Sequence, residues 1–457
     1  MSNQNKLTAA EAGRRAADLA AQNNESSTIP SPHMSTLLAH AGVTNAPNPT
    51  NTPMAPPLHL ATTYTRPVDG EYRLPNDAVY SREDNPTRLL LEQEVARLDG
   101  YGLPKPCQTT AWSSGLQAVT GLVLAHQSPL TVLLPVDLYH GTSSVLIDVL
   151  SRFGVVVQRV DWRQIGNESM RVDSLQRQLT EGIVSKISSD HSVVVWIETP
   201  SNPLCHVVDI EAVCAWARQH LNEKKSTTVV VDSTLAPPVI QQPLQHGADI
   251  VLQSATKYLA GHSDALLGTL TANSTTTQGQ WLAERLPQVQ HLTGGVASSL
   301  DSWLCLRGLR TLSVRVQQQC QTAQRVAEWL QEYISKKDNN GGENTMSVFY
   351  PGLPSHPQHA VAQRQMHGGF GGVLSLDVGT EPRAMALAAA LQTLQRATSL
   401  GGTESLIEHR ASIEPPGRVT SPPGLLRLSI GLEATDDLIA DLSRALAIAE
   451  EVCGTDG

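Results

Sequence analysis

An acidic and a basic side chain follow two successive apolar runs of the sequence and could act on the same small molecule. Asp232 ends the run TTVVVD, and Lys257 comes shortly after the run ADIVLQ. Because the carboxyl ends of parallel strands meet at one edge of a sheet, both side chains should converge there. Pyridoxal phosphate chemistry needs such a pair, since a lysine holds the aldehyde and an acid keeps the ring nitrogen protonated. Taken alone, however, a strand-end pair of this kind is more often a structural ion pair.

Hydroxyls and backbone amides elsewhere in the sequence could hold a phosphate. Ser254 and Thr256 flank Lys257, and the segment SSGL, which ends in Gly115 and Leu116, opens the apolar helical pattern LQAVTGLVLA. A helix N-terminus built from small residues presents free N–H groups and the positive end of the helix dipole to an anion. The alternative is an ordinary serine N-cap. The sequence therefore predicts either a phosphate site or a simple helix start at this point.

Apolar, β-branched runs that alternate with helical periodicities are predicted to position these residues. The runs are continuous instead of alternating with polar residues, as in strands that are buried on both faces. Helical patterns such as DIEAVCAWARQHL lie between them. This order predicts an α/β domain with a mostly parallel sheet that binds its ligand at the carboxyl ends of the strands. The runs are TVLLP, VVVQRV, SVVVWIE, TTVVVD and ADIVLQ.

The predicted organisation places this domain in the middle of the chain, at residues 79–298. Residues 1–34 are polar and are predicted to be a disordered head. Residues 35–78 are predicted to form an extended arm, because closely spaced prolines disfavour a helix there. Residues 299–457 are predicted to form a smaller α+β domain. It would contain a long helix at residues 312–333, a polar insertion at 336–343 and the strands VLSLDV and LLRLSIGL.

Composition excludes several classes of protein. The chain has 457 residues with 33 Lys and Arg against 43 Asp and Glu, which gives a formal net charge of −10. Without a basic run, nucleic acid is not an expected partner. The apolar runs are far shorter than the roughly 20 residues that a membrane span needs. Six cysteines lack C-x-x-C spacing, which predicts reduced thiols and a cytoplasmic protein.

The segment SATKYLAGHSD resembles the lysine motif of the Cys/Met-metabolism family of pyridoxal-phosphate enzymes. That family includes cystathionine γ-synthases, cystathionine lyases, methionine γ-lyases and acylhomoserine sulfhydrylases. The resemblance implies a type I aminotransferase-like fold, pyridoxal 5'-phosphate as cofactor and an amino-acid substrate. It also implies a homo-oligomer, either a dimer with shared sites or a dimer of dimers. Other family-like segments follow in order: STLLAHAG, YSREDNPTRLLLEQEVARLDG, DLYHGT, ETPSNP, VDSTLAPP, RGLRTL, GGFGGVLSLDV, SLGGTESL and GLLRLSIGLE.

The resemblance assigns a role to each matching residue. It implies that Lys257 binds the cofactor and removes the Cα proton of the substrate, and that Asp232 pairs with the pyridine nitrogen. Tyr139 would stack on the ring and exchange a proton with the leaving sulfur. The cofactor phosphate would be held by residues of the same chain and of a neighbouring subunit. These are Gly115, Leu116, Ser254 and Thr256 in the same chain, and Tyr80 and Arg82 from the neighbour.

The substrate contacts implied by the resemblance come from three other segments. Arg427 would form a bidentate pair with the α-carboxylate, supported by Ser399 and Asn202. Outside the family frame, Arg427 would be interpreted as a cross-strand ion-pair partner and Tyr139 as a packing residue. His262 and Cys205 are interpreted as structural residues and are not assigned to the site.

The sequence departs from the family pattern where specificity is determined. Thr398 occupies a position where several γ-synthases and γ-lyases carry an acid, and His140 stands where glycine is common. The family's usual P-A-x-M-T-H-A stretch is replaced by residues of the segment HRASIEPPG. The resulting prediction is a cystathionine lyase, of β or γ type. The alternatives are a cystathionine γ-synthase or related acylhomoserine-dependent transferase and, more remotely, a non-catalytic protein of the same fold.

Overall fold

A computed structural model describes residues 32–43, 53–70, 78–126, 129–165, 180–339, 346–414, 417 and 419–454. Almost all of the predicted head, residues 1–31, lies outside these ranges, as do parts of the predicted arm. Within the described ranges, no helix is long and apolar enough to cross a membrane. The boundaries between the four predicted segments stay predictions.

A large sheet of seven strands confirms the predicted α/β domain with a mostly parallel sheet. Its strand order is β1-β7-β6-β5-β4-β2-β3. The contiguous block from β6 to β3 is parallel throughout, and β7 runs antiparallel to both β6 and β1. Each of the five predicted apolar runs forms one strand of that block. The strands are β1 (Gln108–Trp112), β2 (Leu130–Pro135), β3 (Val155–Val160), β4 (Ser192–Glu198), β5 (Ser226–Asp232), β6 (Ile250–Gln253) and β7 (Gly268–Ala272).

Apolar cores cover both faces of this sheet, which explains why its central strands are continuously apolar. In β4, Val194 and Trp196 face a core that includes helices α3 (Gly115–Ala125) and α6 (Thr277–Thr293). The alternate residues Val193, Val195 and Ile197 face a second core that includes α5 (Ile210–His220). Successive side chains of a strand point to opposite faces, so both sets are buried. Helix α2 (Pro86–Asp99) packs against β1 at the edge of the sheet.

A second, smaller sheet follows in the C-terminal part of the chain. Its order is β10-β11-β12-β9-β8, and it is antiparallel apart from the β10–β11 pair. Leu426 and Leu428 of β12 face a separate core, whereas the intervening Arg427 points to the opposite face. The strands are β8 (Ser347–Phe349), β9 (Val373–Asp377), β10 (Gln395–Arg396), β11 (Leu406–His409) and β12 (Leu425–Ser429). The helices of this part are α7 (Ser299–Leu309), α8 (Leu312–Asn339), α9 (His359–Gln365), α10 (Glu381–Ala390) and α11 (Thr435–Cys453).

Two local predictions were wrong. The predicted arm begins with a helix, α1 (Met34–Ala39), which buries Leu37 and Leu38 and precedes the proline-rich stretch that disfavours helix. Helix α8 continues to Asn339 and so includes the start of the predicted polar insertion. Lys and Asn do not end a helix by themselves, and Lys336 forms an ion pair with Glu332 one turn earlier. The remainder of that insertion, residues 340–343, lies outside the described residues.

Candidate active site

A cavity of about 500 Å³ lies at the carboxyl ends of the parallel strands and is closed on its other side by β11 and β12. This is the location predicted for the ligand of a parallel sheet. Ten of the predicted site residues line the cavity: Gly115, Leu116, Tyr139, Asn202, Asp232, Ser254, Thr256, Lys257, Ser399 and Arg427. The cavity is thus a junction between the large sheet and the small one.

Lys257 lies in the turns that follow β6 and reaches across to the small sheet. Its Nζ donates a hydrogen bond to Oγ of Ser399 at 2.8 Å. Burial, followed by the positive charge of Arg427, lowers the pKa of the Lys257 amine to about 8. The neutral amine, which is both a nucleophile and a base, is therefore present near neutral pH.

Asp232 ends β5 and is almost completely buried in the cavity wall. Its Oδ1 accepts hydrogen bonds from the backbone N–H of Thr234 at 3.0 Å and from the Thr234 hydroxyl at 2.6 Å. Burial raises the pKa of Asp232 to about 6, and the two Thr234 contacts oppose that rise. Asp232 is thus held in one orientation and is largely ionised at neutral pH.

A second buried carboxylate, Glu198, was not predicted. It ends β4 directly beside Asp232 in the sheet register. Its carboxylate accepts the backbone N–H of Tyr139 at 3.0 Å and that of Asn202 at 2.8 Å. Burial and the neighbouring charge of Asp232 raise the pKa of Glu198 well above its ordinary value. The strand-end argument that identified Asp232 applies equally to Glu198 within ETPSNP, so the signal was present in the sequence.

Tyr139 stands at the start of the short helix α4 (His140–Ser144), where its ring borders the cavity. A Cβ atom on Gly141 would lie 2.4 Å from Cε1 of Tyr139, so glycine at that position leaves room for the ring. The imidazole of His140 packs against the ring with centroids 4.8 Å apart. Burial raises the pKa of the Tyr139 hydroxyl, so that hydroxyl stays protonated at neutral pH.

The predicted phosphate residues meet at the N-terminus of α3. Oγ of Ser114 caps this helix by accepting the backbone N–H of Gln117 at 3.0 Å. Gly268 approaches so closely that a Cβ there would lie 2.7 Å from Cα of Gly115. The Thr256 hydroxyl bonds both the N–H and the C=O of Leu267. The serine N-cap is therefore present at this helix start, whereas phosphate binding beside it stays a prediction, for which the small residues leave room.

Arg427 lies opposite, on the face of β12 that points away from the core of the small sheet. Its Nη1 donates to Oδ1 of Asn202 at 3.3 Å, and its Nη2 donates to the carbonyl of Ser399 at 2.7 Å. Nη2 also pairs with Oε2 of Glu408 at 2.9 Å. The buried Nε has no hydrogen-bond partner among the described residues. Burial lowers the pKa of Arg427 to about 10, so the guanidinium remains charged at neutral pH.

Tyr80 and Arg82 are the two predicted site residues that do not line this cavity. The Tyr80 ring is 44 % exposed, and the Arg82 guanidinium lies 5.1 Å from the centre of that ring. Both precede α2 on a loop that is bridged to Thr63. Their assignment to the site of a neighbouring subunit stays a prediction.

The two residues that were interpreted as structural lie outside the cavity lining. Nδ1 of His262 is 2.7 Å from the carbonyl of Ala260, which accounts for its imidazole locally. Cys205 is buried, and burial raises the pKa of its thiol to about 12. All six cysteines are free thiols, as their spacing predicted.

The residues present fit pyridoxal phosphate. The cavity offers an amine of lowered pKa at Lys257 and an oriented carboxylate at Asp232. It also offers a helix N-terminus at Gly115, where the absence of a side chain leaves the backbone open. These groups correspond to the aldehyde, the ring nitrogen and the phosphate of that cofactor.

Comparisons with known proteins give the same result over most of the chain. A family model described as "Cys/Met metabolism PLP-dependent enzyme" matches residues 35–447. A cystathionine gamma-lyase of Bacillus subtilis and a cystathionine beta-lyase of Lactococcus lactis are each 35 % identical, over 90 % of this chain and 98 % of theirs. A solved cystathionine gamma synthase of Xanthomonas oryzae in complex with cystathionine is 31 % identical with a TM-score of 0.75. That match covers 92 % of this chain and 100 % of the solved one.

Proposed function

Because the chain belongs to the Cys/Met-metabolism family of pyridoxal-phosphate-dependent enzymes, we propose that it cleaves the carbon–sulfur bond of cystathionine-type amino acids. The observation that carries this proposal is the convergence of Lys257, Asp232 and Arg427 on one cavity. Relatives that are named as cystathionine lyases and relatives that are named as cystathionine gamma-synthases resemble this chain to a similar degree. The choice between them is therefore part of the proposal.

Lys257 would act as the base in the first step. The bound cofactor supplies an electron-withdrawing ring that stabilises negative charge at the α-carbon of the substrate. The amine of Lys257 would remove the proton from that carbon, because its lowered pKa of about 8 gives a useful neutral fraction near physiological pH. Its hydrogen bond to Ser399 holds Nζ at the boundary between the two sheets, where the substrate must lie.

Asp232 and Arg427 would orient the cofactor and the substrate on which Lys257 acts. Asp232 would keep the ring nitrogen protonated, and Thr234 fixes the direction of its carboxylate. Arg427 would bind the substrate α-carboxylate in the geometry that suits a guanidinium fork. Its unpartnered Nε supports this role, since a buried donor without a partner gains most from an incoming anion.

Tyr139 would act at the sulfur. Its hydroxyl is protonated at neutral pH, because burial raises its pKa, and it can donate a proton to the leaving thiolate. Glu198 would act only through Tyr139 and Asn202, because its carboxylate accepts hydrogen bonds from their backbone N–H groups. It is a positioning residue in this scheme.

A cystathionine γ-synthase or related acylhomoserine-dependent transferase is the second candidate. The same groups would serve it, and the solved relative in complex with cystathionine carries that name. Thr398 lines the cavity where an acid occurs in several γ-synthases and γ-lyases, so it favours neither. A non-catalytic binding protein is disfavoured because it would have no use for Lys257, Asp232 and Tyr139 together.

Product identification by mass spectrometry tests the proposal. The cofactor-loaded protein is incubated with L-cystathionine and, separately, with an acylated homoserine plus cysteine. Homocysteine and pyruvate would establish β cleavage, and cysteine with 2-oxobutyrate would establish γ cleavage. Formation of cystathionine in the second reaction would replace the lyase by the synthase. Silence in both reactions, with cofactor bound, would contradict both and favour either another thio-amino acid as substrate or the non-catalytic alternative.

We further propose that the active form is an oligomer in which Tyr80 and Arg82 complete the site of a neighbouring subunit. Arg82→Ala and Lys257→Ala should each be inactive alone. A co-expressed heterodimer, isolated with two affinity tags, should carry one intact site. The isolated heterodimer should show about half of wild-type activity, since one of its two sites is complete. An unfractionated random mixture, in which half of the dimers are mixed, should show about a quarter.

The control is the same co-expression with Lys257→Ala on both chains, which should stay inactive. If the mixed dimer is as inactive as its parents, Arg82 acts within its own chain. Sedimentation of the wild-type protein as a monomer at full activity would contradict the proposal independently.

A further inference from the structure

The cavity contains a second buried arginine to which the proposed function gives no task. Arg410 follows β11, in the segment HRASIEPPG, and its side chain is only 1 % exposed. It lines the cavity together with Arg427. A buried guanidinium that faces a ligand cavity is stabilised by each anion that it can reach, because burying a charge is costly.

The two arginines share a single carboxylate oxygen. Nη1 of Arg410 lies 2.6 Å from Oε2 of Glu408, and Nη2 of Arg427 lies 2.9 Å from the same atom. Glu414 is the other acid near Arg410, but its oxygens accept from Thr420 and Ser421, and it does not line the cavity. At the β11–β12 side of the cavity, Arg410 and Arg427 therefore face only one carboxylate, Glu408, among the described lining residues, whereas Glu198 and Asp232 lie at the strand ends of the large sheet.

The edge of the Arg410 guanidinium that is formed by Nε and Nη2 is available to a ligand. Its Nη1 is used by Glu408, whereas its buried Nε has no hydrogen-bond partner among the described residues. Nη2, which forms the same edge as Nε, has only a 3.4 Å contact with Nδ1 of His140. The Nε and Nη2 donors together match the two oxygens of a carboxylate.

We propose that Arg410 binds a second acidic group, carried at the far end of the substrate side chain, while Arg427 binds the α-carboxylate. The substrate class is then an amino acid with a distal carboxylate, and neutral side chains of similar length are disfavoured. The assignment of Arg427 rests on the proposed function. The binding of the distal carboxylate does not require that any bond be cleaved.

The test uses two ligands that cannot be cleaved, because neither has a leaving group on Cβ or Cγ. L-2-Aminoadipate ends in a carboxylate, and L-norleucine ends in a methyl group on a chain of similar length. Calorimetric titration of the cofactor-loaded wild-type protein should show binding of L-2-aminoadipate about 10- to 100-fold tighter than of L-norleucine. Equal affinities, or no measurable binding of L-2-aminoadipate, would overturn the proposal without any variant.

Variants separate direct contact from a supporting role. Arg410→Met should remove the preference and leave L-norleucine affinity within about threefold, since only the distal contact is lost. Arg410→Lys should keep part of the preference, because the charge remains and the fork is lost. A fall in affinity for both ligands alike would show that Arg410 acts only by holding Glu408, and would overturn the proposal. If L-cystathionine is not cleaved while the preference persists, the lyase proposal fails and the carboxylate contact stands.

Discussion

Replacing Lys257 by alanine should lower turnover by about 100- to 10,000-fold, which is the range that a positioned acid–base group contributes. The expected loss is large because, in the proposed scheme, the same Nζ binds the cofactor and removes the Cα proton. Turnover is measured with whichever substrate the product analysis establishes. Borohydride reduction followed by mass spectrometry supplies a second measurement, because reduction fixes the cofactor to the amine that holds it, and Lys257→Ala should not retain it.

The matched control is Lys336→Ala, which removes an exposed lysine of α8 and its ion pair with Glu332. This variant should retain wild-type turnover and covalent mass. Covalent retention of the cofactor by Lys257→Ala at wild-type stoichiometry would show that another amine holds it. Unchanged turnover would remove Lys257 from the mechanism altogether.

The lowered pKa of Lys257 gives this prediction a pH dependence. An amine is a nucleophile only when neutral, and the neutral fraction grows as the pH rises through the pKa. Burial and Arg427 place that pKa at about 8, compared with an ordinary value of 10.5. Covalent uptake of cofactor by the apoprotein should therefore rise up to about pH 8 and level off above it. A rate that still rises steeply between pH 9 and about 10 would show an unperturbed lysine.

Asp232→Asn should lower the turnover number by about 100- to 1,000-fold, as the loss of one oriented electrostatic group typically does. An amide cannot keep the ring nitrogen protonated, although it can still accept the two hydrogen bonds from Thr234. The substrate KM should change far less, because Arg427 and Asn202 are untouched. Steady-state kinetics separates the two parameters.

The comparison variant for Asp232→Asn is Glu198→Gln, at the neighbouring strand end. Glu198 touches backbone N–H groups and not the ring nitrogen in the proposed scheme, so its loss should be smaller. The thermal midpoint of the cofactor-free Asp232→Asn protein should not fall, because the substitution removes one of two adjacent buried acids. Wild-type turnover in Asp232→Asn would eliminate this residue as the ring-nitrogen partner.

The location of the reactive side chains at strand ends was predictable from the sequence, because the pattern that indicates it lies within a few neighbouring residues. Asp232 and Lys257 each follow an apolar run, and the parallel order of those runs is enough to place them at one edge. Strands β1 and β7 were not predicted, because QTTAW and GTLTA are rich in threonine and lack a continuous apolar run. They are nevertheless buried, since each strand has neighbours on both of its faces.

The substrate side of the cavity was harder to predict because it depends on pairing between distant segments. Glu408 pairs with Arg427 across β11 and β12, a register that neither segment encodes by itself. The place of Arg410 beside His140 joins residues 270 positions apart in the chain. In the sequence, His140 and the segment that contains Arg410 were recognised only as departures from the family pattern.

The residues of the site are carried by different parts of the fold, and this separation bears on how such proteins diversify. Asp232 ends a strand that contributes to both cores of the large sheet, and Lys257 lies beside Ala255 and Tyr258, which belong to a further core. Arg427 belongs to the small sheet, which has its own core. The loop after β11, which carries Arg410, contributes to none of these cores. If Arg410 has the role proposed above, substitutions in this loop would change which substrate side chains are accepted without replacing Lys257, Asp232 or Arg427 and without removing a residue of these cores. We therefore expect this loop to be a place where selectivity can change, by natural drift or by engineering, without repacking a core.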